Sequence, residues 1–254
     1  MLKLMKYEFH KNRTGLLVML LVAAGLYALA PLGRAMDRGS LMIASVFLLF
    51  IYAFAAYVYV LVRGITAYSG ELRGKTGYLL LLVPRPALSI LFGKLLFTLV
   101  FGFLMMAVSV FALMASGTVL LGEVYELKGM LTTLRFLLMQ VDIDPSMLAN
   151  VAAFFVAAIA TSVLAVVAMG YLAVTLSATL LQSGKLRGAA SFALFIALSA
   201  LTGYLQNLVA PEMEMFATLA EALHAALPVI LLDAALTCVY TALSAVLLKK
   251  KVSL

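Results

Sequence analysis

Residues 41–62, LMIASVFLLFIYAFAAYVYVLV, decide the fold. These 22 residues contain no charged side chain, and as an α-helix they extend roughly 33 Å, enough to cross a hydrocarbon layer of about 30 Å. Five further runs share this character: 15–32, 89–114, 148–176, 188–210 and 228–248. Lys94 and Asp233 are the charges inside them. The fourth run, 29 residues long, exceeds the roughly 20 that a span requires and must tilt or protrude. The expected fold is therefore all-α and integral to a membrane: six transmembrane helices in a single domain over residues 1–254, with a cytoplasmic segment at 63–88.

Composition supports this frame. The 254 residues are 65% hydrophobic and 11% charged, against roughly 45–50% and about 25% in soluble domains. The net charge of +7 does not signal nucleic-acid binding, because the basic residues sit between apolar runs and form no stripe on a polar face. A single cysteine, Cys238, excludes an intrachain disulfide framework and a cysteine-based metal site. The basic start and the long first run read as a retained span, since no small-residue cleavage site precedes a polar chain.

Orientation follows from Lys and Arg, which favour cytoplasmic loops. Lys3, Lys6, Lys11, Arg13, Arg63, Arg73, Lys75, Arg85, Lys94, Lys185, Arg187, Lys249, Lys250 and Lys251 fall on one side; Arg34, Arg38, Lys128 and Arg135 fall on the other. Fourteen against four places both termini in the cytoplasm. Outer loops then carry the acids, among them Asp37, Glu123, Asp142 and Glu212.

Smaller features give local expectations. Leu2, Met5 and Phe9 share a face opposed largely by Lys3, Lys6, His10 and Arg13, the pattern of an amphipathic helix over residues 1–14 lying in the inner interface. Leu131, Leu134 and Leu138 suggest a second amphipathic helix in the outer loop 117–147. A third stretch, 212–227, is bracketed by Pro211 and Pro228, where the chain is expected to turn and re-enter. Ala149, Ala153 and Ala157, spaced by four, would permit close helix approach.

Catalytic signatures are missing. Gly70 to Thr76, GELRGKT, ends like a phosphate-binding loop but has three residues between its glycines where four are needed, and a membrane helix where a strand should precede it. His10 and His224 fall on opposite sides of the membrane, and neither His-Glu-x-x-His nor Gly-x-Ser-x-Gly occurs. Any ATP and magnesium would belong to another polypeptide, and no cofactor is expected in this chain.

The inner segment 63–94, RGITAYSGELRGKTGYLLLLVPRPALSILFGK, is too long and too patterned for a connector. Its Glu71, the Gly74 to Gly77 stretch, the leucines from Leu79 to Leu82, Pro84, Arg85, Gly93 and Lys94 resemble the corresponding segment in permease subunits of the type-2 family of ATP-binding cassette (ABC) exporters. The basic N-terminus, six spans and internal termini are similar in outline. The long outer excursion between spans three and four departs from that pattern. The resemblance implies a bacterial plasma-membrane permease that pairs with a second copy or a similar partner. It further implies a coupling helix within this segment that docks in a groove on separate ATPase subunits. Glu71, Arg73 and Lys75 would supply polar contacts and Tyr68, Leu72 and Tyr78 anchors, and Gly74, Pro84 and Arg85 would belong to the same ATPase-coupling set. The expected cargo is an exported amphiphilic or hydrophobic molecule.

An ATP-independent channel or ion-coupled carrier is the alternative, although it usually needs several ionisable groups in the membrane. Tyr52 and Tyr59, seven apart on one face, line a path or pack. Asp233 is a functional candidate as a buried acid. Its position five residues past Pro228 also suits a structural role at a helix N-terminus, whose dipole favours a carboxylate.

Overall fold

The computed structural model describes residues 2–73, 87–120, 145–180, 186–210 and 219–251. Six α-helices account for nearly all of them: α1 Leu2–Ala35, α2 Gly39–Arg73, α3 Ala87–Leu120, α4 Pro145–Leu180, α5 Arg187–Val209 and α6 Leu219–Lys251. All six are long and apolar enough to cross a membrane, which makes this a multi-pass membrane protein. Helices suit that solvent because they satisfy their own backbone donors and acceptors.

Several helices outrun the expected spans. At 35 residues, α2 is about 52 Å long, and it continues through Arg63 to Arg73 where a loop was expected. Charge ended the apolar run, but the buried stripe goes on: Leu61, Ile65, Tyr68 and Leu72 recur at helical spacing and pack into one core. The expected interfacial helix over 1–14 is likewise no separate element, since α1 runs unbroken from Leu2. Glu8 and Asn12, one turn apart, are buried rather than turned to water, and the Asn12 amide donates to the Glu8 carbonyl at 2.8 Å. Pro228 lies inside α6 and does not open it. A proline costs a helix one backbone hydrogen bond, a loss that membrane helices tolerate. The segment around Leu131, Leu134 and Leu138 lies outside the described residues.

A tight turn joins α1 to α2. Asp37 adopts φ 53°, with its N–H bonded to the Arg34 carbonyl at 3.1 Å and the Arg38 N–H to the Gly33 carbonyl at 2.8 Å. This pair of bonds is a Schellman closure, with aspartate in the left-handed position usually given to glycine. Gly33 is required there for a different reason: a Cβ would lie 3.0 Å from the Met42 backbone nitrogen.

Contacts gather the chain into two compact units. The first comprises Met1–Lys6, Leu61–Leu99 and Asn150–Leu254. Its core centres on α4, which is buried on all sides from Met169 to Thr175, against Tyr68 and Leu72 of α2, Leu91 and Leu95 of α3, and Tyr240 and Leu248 of α6. The second unit comprises Tyr7–Val60 and Val100–Ala149, with a core of Ala23, Leu49, Tyr52, Ala56 and Ala112.

Lipid is as apolar as leucine, so helices associate within it through close packing and internal hydrogen bonds. The expected alanine stripe does not supply the close packing, because Ala153 and Ala157 are exposed. Glycines do so instead. A Cβ on Gly64 would meet Thr98 Cγ2 at 2.8 Å, and one on Gly170 would meet Ile65 Cδ1 at 2.5 Å.

Candidate functional site

The end of α2 and the start of α3 form a fixed root for the segment between them. Lys94 Nζ donates to Glu71 Oε1 at 2.8 Å, and the two side chains retain 5% and 13% exposure. Because the bond is charge-assisted and shielded from water, separating the two helices here would leave each charge poorly solvated and unmatched. Tyr68, one turn before Leu72, is fully buried, and its hydroxyl shares a 2.7 Å hydrogen bond with Thr175 of α4. Its ring lies 4.6 Å, centroid to centroid, from that of Tyr171. Thr175 in turn donates to the Tyr171 carbonyl, which orients its oxygen. The root is thus tied to α3 through charge and to α4 through the phenol.

This placement sharpens the expected roles. Tyr68 and Leu72 face the chain's own core, and Glu71 is engaged by Lys94, so these three hold the root. Arg73 is the last residue of α2. Gly74, Lys75, Tyr78, Pro84 and Arg85 lie outside the described residues.

The candidate path residues separate. Tyr52 is buried and donates to the Met19 carbonyl at 3.0 Å, which is a packing role. Tyr59 stacks obliquely on Phe101, at 6.3 Å between centroids, and its hydroxyl occupies the space that a side chain at position 15 would need, so glycine stands there.

Asp233 differs from both. It is 5% exposed near the middle of α6, and Gln206 Nε2 of α5 donates to its Oδ1 at 2.8 Å. The helix begins at Leu219, 14 residues earlier, so a helix N-terminus does not stabilise this carboxylate as the position of Pro228 suggested. An acid at a helix centre in the membrane costs about 2.5–3.5 kcal/mol. One hydrogen bond to a charged group offsets roughly 1.5–3 kcal/mol of that cost. Two turns further along α6, the Tyr240 hydroxyl pairs with Thr202 of α5 at 2.8 Å, continuing a polar seam between these helices.

Gln206, Thr202, Tyr240, Thr175 and Tyr171 escaped the sequence reading, because uncharged polar residues scattered in apolar runs carry no distinguishing pattern. Among the described residues, no group of three or more His, Cys, Asp or Glu could hold a metal ion. No protein-family model, curated protein or solved structure matches the chain.

Proposed function

We propose that this chain is the permease subunit of an ABC transporter of the type-2 exporter kind. Both termini are cytoplasmic, two permease copies pair in a bacterial plasma membrane, and the cargo is amphiphilic or hydrophobic. Separate ATPases bind ATP and magnesium, and they engage the segment that α2 and α3 present on the cytoplasmic side. The observation that carries this reading is the Glu71–Lys94 bond across the two ends of that segment. A free connector needs no such clamp. A lever does, because force applied between residues 73 and 87 reaches α2, α3 and α4 only if its ends are rigidly held. The Tyr68–Thr175 bond extends that path to α4.

Co-expression with an ABC ATPase taken from a neighbouring reading frame tests the reading. The ATPase is expected to co-purify with the wild-type chain and to be lost when residues 74–82 are replaced by a Gly-Ser stretch of equal length. Such a replacement spares Tyr68 and Leu72, which the core requires. Retained association would remove the docking assignment. The Asp233–Gln206 pair favours a second reading, an ATP-independent ion-coupled carrier. Transport by proteoliposomes holding this chain alone would decide for it.

A further inference from the structure

We propose that Asp233 binds the positive charge of a lipophilic organic cation, which names the cargo class as cationic amphiphiles. The inference rests on the reading of the chain as a transporter, whichever motor drives it.

Glu71 and Asp233, two carboxylates of the first unit with little exposure, are treated differently. Glu71 has its charge matched by Lys94 at 2.8 Å. Asp233 is bonded to a neutral amide, and among the described residues no Lys or Arg forms an ion pair with it. A carboxylate kept in an apolar span without a counter-charge marks a place where a cation arrives from outside the chain.

The surroundings select the kind of cation. Asp233 offers two carboxylate oxygens, and Gln206 offers one amide oxygen once its nitrogen is committed. Calcium or magnesium takes about six or more oxygen ligands, more than these acceptors and the Thr237 hydroxyl, which donates to the Asp233 carbonyl at 2.8 Å, provide. A diffuse charge on an apolar body needs no such shell. On α5, Gly203, three residues before Gln206, has no atom within 4 Å of where a Cβ would stand, so the helix carries no side-chain bulk there.

Equilibrium binding of tetraphenylphosphonium to the purified chain in nanodiscs, without any ATPase, tests this directly. Saturable binding is expected. Asp233→Asn keeps a bond to Gln206 while removing the charge, and should weaken binding at least about tenfold. Gln206→Lys supplies an internal cation to the same carboxylate and should weaken it equally, so the test survives if one variant does not fold. The neutral analogue triphenylphosphine oxide should bind all three forms alike. Absent saturable binding by the wild type, or a loss of less than tenfold in whichever variant folds, overturns the proposal. Because no ATPase is present, either result leaves the ABC assignment to its own co-purification test.

Discussion

The Lys94 ammonium meets the Glu71 carboxylate at 2.8 Å although 23 positions separate them in the chain. Removing one partner strands the other in a shielded place. Lys94→Met should therefore destabilise the protein by about 3–5 kcal/mol, towards the lower value because Glu71 keeps 13% exposure. Joint replacement by Glu71→Leu and Lys94→Met should restore most of that loss. Thermal stability followed by size-exclusion chromatography in detergent measures both, and a double variant as unstable as the single one would contradict the pairing.

Tyr68 and Thr175 share a bond across 107 positions. Tyr68→Phe and Thr175→Val each remove it with little change in volume. A double-mutant cycle on stability should return a coupling of about 0.5–1.5 kcal/mol. If the link transmits force, Tyr68→Phe should also lower transport per ATP hydrolysed while ATPase binding persists. An unchanged ratio would confine the bond to a structural role.

Gly170 allows Ile65 to seat against the backbone of α4. Gly170→Val should overpack that contact and cost about 1–3 kcal/mol. Ile65→Ala in the same chain should relieve a measurable part, because the clash is with the isoleucine side chain. Failure of that rescue in a thermal assay would place the clash elsewhere.

Asp37 holds φ 53° at the α1–α2 turn. Left-handed geometry costs an L-residue roughly 1–2 kcal/mol, and glycine avoids it. Asp37→Gly should be neutral to stabilising and Asp37→Val destabilising by about 1 kcal/mol or more. The reverse order in thermal unfolding would show that the aspartate side chain, not the backbone, governs the turn.

How far these residues could be read in advance depended on whether they interrupt a pattern. Lys94 stood out as a charge near a span end and Glu71 as an acid of the segment 63–94, yet their pairing did not, because it depends on α2 continuing 11 residues beyond Val62 to Arg73. Asp233 was conspicuous as a charge within an apolar run. Its surroundings were misjudged, since Pro228 looked like a helix boundary and lies within α6. Glu8, within the stretch expected to lie in the interface, carried no signal of its own and is buried.

The sequence by itself determined the six membrane-crossing helices and roughly where each one lies. Both follow from the cost of placing charge or open backbone in hydrocarbon, a cost that acts residue by residue along a run such as 41–62. Only the tertiary structure decided that α4 is enclosed at the centre of one unit, that glycines at 64 and 170 make the close approaches, and which partners Glu71, Tyr68 and Asp233 take. Inside lipid those choices turn on packing and single hydrogen bonds between distant residues, and neither depends on hydropathy along the chain.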